Sequence, residues 1–396
     1  MVKREEKEKK VSLGSALVIC FITLVIGVFV GMNWNSFAAT FMPYLGFKSS
    51  GNTNDWSSLD EVYNTLAAKY DGEVEFSAAL EGAKKGIAAS VGDVYTSYMT
   101  ASEAADFNKS LHGEVGAGIG VAMAKRGDYI RITRVLPDNP AKKAGILAGD
   151  IIYKIDGKNV LGEDASELAT KLRGEKGTKV SLTIVRDGEE KTFDLVREEI
   201  NNVSAYVDYS GQTAIIHVTR FDTDTGTLVK NFTKEFADKN INKVVLDLRD
   251  NGGGYVSAAK DLLSLWIDSK AVLVQKSVRV PEETVYANHG QATLSDMKTI
   301  VLTNGGTASA SEIVAGALKD YNKATIIGEK TYGKGVVQTL VNLSGGALLK
   351  VTTAHWYTPE GNTINTTGIS PDQEIVRSYD DINNDRDPQM DAALSA

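Results

Sequence analysis

Gly305-Gly306-Thr307-Ala308-Ser309-Ala310-Ser311-Glu312 is a run of small residues that joins an apolar strand, 299–303, to a helix expected over 311–321. Strand, tight turn, helix is the repeating unit of an α/β layer, with functional loops at the strand ends. Ser309 stands at the mouth of the helix. Further on comes Gly328-Glu329-Lys330-Thr331-Tyr332-Gly333-Lys334-Gly335, where Lys334 lies between two glycines at the start of a strand expected over 335–340. A hydroxyl needs a base before it attacks a carbonyl, and a desolvated lysine can serve. The four histidines, His112, His217, His289 and His355, lie in no recognisable nucleophile motif.

The same alternation extends over 201–378. Strands are expected at 214–218, 243–248 and 324–327, and helices at 223–238 and 256–266. Between two of these elements lies a glycine loop, Arg249-Asp250-Asn251-Gly252-Gly253-Gly254. Upstream, 113–200 opens on Gly116-Ala117-Gly118-Ile119-Gly120-Val121. It continues with an alternating strand at 129–135, then Pro137-Asp138-Asn139-Pro140-Ala141, then Gly149-Asp150-Ile151-Ile152, a helix at 164–173 and a strand at 180–186. This unit resembles a PDZ domain. The resemblance implies peptide capture: uncovered amides near Gly118, Ile119, Gly120 and Val121 hold a terminal carboxylate. The peptide then adds as a strand beside 119–123, against the 164–173 helix. The glycines do not open a helix after a strand, so a dinucleotide site fails on context. A domain that only packs is the alternative.

The Ser309 turn, the 329–338 segment, the 247–254 loop and the PDZ-like unit together resemble the carboxy-terminal processing proteases, or tail-specific proteases. Tyr357-Thr358-Pro359-Glu360-Gly361 and Gly368-Ile369-Ser370-Pro371-Asp372 are similar to that family as well, and the resemblance covers 55–375. On this reading Ser309 is the nucleophile and Lys334 the general base. Ala310, first in the helix, has a free N–H for the oxyanion. Gly253 is the expected second donor, with Gly252 and Gly254 as alternatives, because no Cβ obstructs a glycine amide. The resemblance gives Gln338 the task of orienting Lys334, which a neutral amide does without raising the lysine pKa. It also matches Asp320, 11 residues on at the end of the Ser309 helix, to an acidic position with a supporting role; a local structural role is the alternative. Arg173 is a structural residue, or a coupler of peptide binding to the protease unit.

Composition bounds the rest. With 42% hydrophobic and 24% charged residues, the 396-residue chain is an ordinary multidomain globular protein. Its net charge of −8, with no basic tract beyond the first ten residues, speaks against nucleic acid. Cys20 is the only cysteine, which leaves no disulfide framework or thiolate metal site, and no cofactor or metal is implied. Residues 11–47 carry no charged residue, after a basic stretch. The expectation is a single-pass cell-membrane anchor with the N-terminus in the cytoplasm and the protease outside. A cleaved signal peptide ending near Ser36-Phe37-Ala38 is the alternative.

The expected fold class is multidomain α/β and α+β: an N-terminal membrane helix, a helical cap, a PDZ domain and an α/β serine protease domain of crotonase-like layering. The expected divisions are a cytoplasmic tail 1–10, a transmembrane anchor 11–33, a linker 34–54, a helical region 55–112, a PDZ domain 113–200, a protease domain 201–378 and a C-terminal tail or helix 379–396. The expected partners are proteins or peptides with accessible C-terminal tails, the membrane, and a second copy in a homodimer paired through 59–70 and 387–395. A catalytically silent adaptor that only binds exported tails is the alternative function.

Overall fold

The structure is a computed structural model that describes residues 13–32, 56–126, 129–279, 281–384 and 386–396. The tail expected at 1–10 and the linker expected at 34–54 lie outside these residues. The chain divides into two units, Met1–Gly82 and Ala83–Ala396. In the first, Leu13–Met32 is a 20-residue helix. Among the described side chains no helix is long and apolar enough to cross a membrane. Ser57–Lys69 is a helix with no buried residue.

In the second unit, helix Ala101–Leu111 starts at a capping box in which Thr100 and Glu103 exchange side-chain bonds with each other's N–H. Ahead of it, Ser97–Met99 is a strand inside the region expected to be a helical cap. It pairs antiparallel with Leu348–Tyr357. The 55–112 region is therefore more than a helical cap: it supplies an edge strand to the protease. Three residues are too few to show a periodicity, and their partner is far along the chain.

The PDZ-like unit is an antiparallel sheet in the order Val121–Arg126, Tyr129–Val135, Ile151–Ile155, Lys179–Arg186, Glu189–Val196. Its inward side chains, among them Ile132, Ile152, Leu182 and Ile184, pack against Leu168 and Leu172 of helix Ala165–Leu172.

The protease unit has two sheets. The first runs Ala205–Ser210, Thr213–Val218, Lys243–Asp247, Lys298–Thr303, Thr325–Gly328, Gln373–Glu374, parallel after its first pair. Its strands are near-continuous apolar runs because both faces are covered. Ile216, Val244, Leu246, Val301 and Ile326 face helices Thr225–Thr233, Val256–Leu263 and Ala310–Asp320. Their neighbours Ile215, Val245, Ile300, Leu302 and Ile327 face Ala393 of helix Pro388–Ser395. The period-2 alternation of a strand thus feeds two cores. The C-terminal helix is a structural layer of the protease, with Lys243 Nζ donating to the Ala393 carbonyl at 3.1 Å. The second sheet is antiparallel. Leu348–Tyr357 is flanked by Ser97–Met99, Ala271–Lys276 and Val336–Asn342, and Glu283–Tyr286 adds beyond Ala271–Lys276.

Candidate active site

Strand Lys298–Thr303 ends below the Ser309 turn, and strand Lys243–Asp247 beside it ends below the glycine loop. Both loops emerge at the carboxyl edge of the sheet, which brings them together. Thr307 Oγ1 donates to the Leu248 carbonyl at 2.9 Å. The Asn251 carbonyl accepts from Ala308 N–H at 3.0 Å and from Ser311 Oγ at 2.9 Å. Asn251 is fully buried, and its Nδ2 donates to the Val218 carbonyl at 2.8 Å. These bonds hold Ser309 at φ 56°, ψ −117°, outside the ordinary regions for an L-residue, a strain of about 1–3 kcal/mol.

Ala310 is the first helical residue, so its amide faces no intrahelical carbonyl and lies at the positive end of the helix. Gly253 has φ +102°, and a Cβ there would stand 2.8 Å from Ser309 Cβ and 2.9 Å from Ala310 N. Only glycine fits so close to Ser309. Its amide, however, donates to Asn251 Oδ1 at 2.9 Å. The expected second oxyanion donor is therefore engaged in this state. An Asn two residues earlier captures the amide in a side-chain turn, and Ala310 is the open donor.

Lys334 is half-buried, and its Nζ donates to Gln338 Oε1 at 2.9 Å. The same Nζ lies 5.3 Å from the centre of the Tyr95 ring. Burial first, and then the Lys350 charge, push the Lys334 pKa below the ordinary lysine value against the opposing pull of Glu312 and Asp93. Ser309 Oγ is not among the hydrogen-bond partners of Lys334 Nζ. Catalytic bonds commonly tighten only with substrate in place. The backbones, by contrast, are already tied. Glu312 is fully buried, and its Oε2 accepts from the Ser309 N–H at 2.8 Å and from the Lys334 N–H at 2.9 Å. The other oxygen, Oε1, accepts from Thr331 Oγ1 at 2.6 Å and the Gly333 N–H at 2.7 Å. The Ser309 and Lys334 nitrogens are thus no further apart than two hydrogen bonds laid end to end. The arrangement presents a hydroxyl, an amine of lowered pKa and a helix-end amide in one place, which suits acyl transfer.

A model of peptidase family S41 matches residues 212–375, and a PDZ domain matches 117–196. The "Probable CtpA-like serine protease" of Staphylococcus saprophyticus is 33% identical over 369 residues, 93% of this chain and 74% of that protein. The chain belongs to peptidase family S41. A CtpA-like relative from Staphylococcus aureus is 34% identical over 364 residues, 92% of this chain and 71% of that protein. The solved photosystem II D1 C-terminal processing protease matches with a TM-score of 0.53 at 28% identity, covering 82% of this chain and 88% of that one. Peptidase S41 and PDZ domains in one chain, with these relatives, make it a serine-type C-terminal processing protease.

Within this S41 protease the expected residues divide. Ser309, Ala310, Lys334, Gln338 and Gly253 share one region. Asp320 does not. It ends the 11-residue helix that Ala310 begins, about 15 Å of rise away, where its Oδ2 accepts the Glu360 N–H at 2.8 Å. It braces a turn. Gly118, Ile119, Gly120 and Val121 line a cavity of about 500 Å³, together with Arg173 and, from the protease unit, Arg220. Gly120, at φ +80°, would collide with Asn139 if it carried a Cβ. Three residues of the site escape the sequence reading: Glu312, Asn251 and Tyr95. Glu312 had a signal, the Ser-x-x-Glu spacing of a capping box. Asn251 stands inside the glycine loop. Tyr95, whose carbonyl accepts from Gln338 Nε2, had none.

Proposed function

We propose that this S41 protease is a membrane-anchored endopeptidase. It takes the C-terminal tails of extracytoplasmic proteins into its PDZ groove and cuts them with Ser309 as nucleophile, Lys334 as base and Gln338 as the group that orients the base. The observation that carries the reading is the Lys334 amine, half-buried against a neutral amide, on a residue whose backbone N–H donates to the same Glu312 oxygen that accepts the Ser309 N–H.

The neutral amine donates one N–H to Gln338 Oε1 and keeps its lone pair for the Ser309 proton. The freed Oγ attacks the substrate carbonyl, and the oxyanion settles on the Ala310 N–H, a kind of contact worth about 3–4 kcal/mol. Lys334, now an ammonium, passes its proton to the leaving amine and an acyl ester remains. Lys334 then takes a proton from water, the hydroxide attacks the ester, and the Lys334 ammonium returns that proton to Ser309 Oγ as the new carboxyl end leaves.

Tail capture is supported by the Val121–Arg126 strand, which lies at the edge of its sheet with one side open for an added strand. Anchoring is supported by the sequence. No charged residue occurs in 11–47, after a basic stretch, the sequence pattern of a membrane segment with its basic end inside. Leu59, Val62 and Leu66 are exposed, which favours the first of these helices after the anchor, Ser57–Lys69, over 387–395 as a contact between copies.

The decisive experiment uses an unstructured polypeptide substrate and a serine-directed acylating reagent. Ser309→Ala and Lys334→Ala should each lower turnover about 10³-fold or more with the fold retained. Unchanged cleavage by Ser309→Ala sinks the peptidase assignment to this serine. Deletion of 1–33 should release the chain from the membrane fraction, and continued sedimentation with membranes removes the anchor.

A further inference from the structure

Gln338 has an amide whose two ends are alike in shape and opposite in hydrogen bonding. Which end faces Lys334 decides whether the amine can act. With Oε1 toward Nζ, the neutral amine donates to it and its lone pair stays free. With Nε2 toward Nζ, an amide N–H would donate into that lone pair and quench the base.

The choice is made from outside the Val336–Asn342 strand. Gln338 Nε2 donates to the Tyr95 carbonyl, a group that can only accept, so Oε1 must turn to Lys334, where it is found at 2.9 Å. The Tyr95 ring lies beneath the same amine. Tyr95 in turn is fixed by a compact turn. Asp93 accepts the Tyr95 N–H at 3.0 Å and the Thr96 Oγ1 proton at 2.6 Å. Thr96 Oγ1 accepts the Thr352 N–H at 3.1 Å, which joins the turn to the strand beside Gln338. Ser97–Met99 then pairs with that strand.

We propose that residues 93–96, which precede the PDZ domain in sequence, are a positioning element of the catalytic site: the Tyr95 carbonyl sets the polarity of the Gln338 amide and so keeps the Lys334 lone pair available to Ser309. The proposal rests on the reading of Lys334 as base. It makes the catalytic apparatus discontinuous in sequence, with the whole PDZ domain inserted between the element that polarises the base and the base itself.

A main-chain carbonyl cannot be deleted, so the test acts on its support. Thr96→Val removes the hydroxyl that joins Asp93 to Thr352 while keeping the shape, and Thr96→Ser restores the hydroxyl. The measurements are kcat, KM, the pH profile of acylation and the melting temperature of the full chain, with Lys334→Ala alongside. Thr96→Val should lose about 10²-fold in kcat, the scale of a small misplacement, with KM within about twofold. Its acid limb should move down, because an amine that loses the Oε1 acceptor or gains an N–H donor holds a proton less well, and Thr96→Ser should recover both. An acid limb that stays in place, or a loss confined to the folded fraction, overturns the proposal while leaving the base reading intact. An active Lys334→Ala overturns the base reading itself.

Discussion

The two sheets of the protease unit build the two halves of the site in different ways. The nucleophile half, named for the proposed role of Ser309, belongs to the parallel sheet, where Lys298–Thr303 is buried at every position after its first and the Ser309 turn and glycine loop are neighbours because their strands are. The base half, named for the proposed role of Lys334, belongs to the antiparallel sheet, where Val336–Asn342 starts buried and ends exposed. Its parts come from 93–99, 334–342 and 348–357. A serine held by a core is placed by local chain geometry. A lysine held by an outer sheet is placed by partners that must arrive from elsewhere. Elements with fewer buried contacts open at lower free energy, so the base half is the one whose position can vary.

Glu312 is where the halves meet, and its removal should have the largest effect on this contrast. In Glu312→Gln one carboxylate oxygen becomes an NH2 that faces two donors. Each buried donor left without an acceptor costs about 1–3 kcal/mol. Single-turnover acylation should fall about 10²-fold and the denaturation midpoint should drop. A variant with wild-type acylation would mean that the two sheets hold their register without this carboxylate.

The contrast also explains what could be read from the chain beforehand. The Ser309 turn is contiguous and made of small residues between an apolar strand and a helix, so its geometry is written locally. The PDZ sheet and the parallel strands are legible for the same reason, since their apolar patterns repeat. Tyr95 acts on Gln338 through a carbonyl that every residue possesses, and no residue type announces it. Gly253 is correctly placed beside Ser309, yet its amide is captured by Asn251, a detail of one rotamer. Asp320 is the opposite case. Its match to an acidic position comes from resemblance, while the 11-residue helix that ends on it carries it to a turn where it accepts the Glu360 N–H, the local structural role.

Lys350 tests the base half alone. It lies in the Leu348–Tyr357 strand, and its charge is the second cause, after burial, of the lowered Lys334 pKa. With Lys334 as the proposed base, activity needs the neutral amine, so the rate rises with pH through the Lys334 pKa. Lys350→Gln removes a repulsion that disfavours the Lys334 ammonium, the pKa rises, and the acid limb moves to higher pH. At neutral pH kcat falls several-fold with KM unchanged, and added salt shrinks the difference between variant and wild type by screening the lost charge. An acid limb that moves down would reverse the electrostatic assignment.

Asp320 tests the nucleophile half alone, and the effect should be the smallest. Its carboxylate accepts one N–H, that of Glu360, and pairs with no charge at the site. Asn keeps an oxygen acceptor in the same position, so Asp320→Asn should change stability by no more than about 1 kcal/mol, the net worth of one hydrogen bond. Its pH–rate profile should overlay that of the wild type, because no step of the reaction passes through this group. If Asp320→Asn instead shifted the acid limb as Lys350→Gln does, charge at the far end of the helix would be reaching Lys334. The separation between a serine placed by its core and a lysine tuned by its own sheet would then not hold.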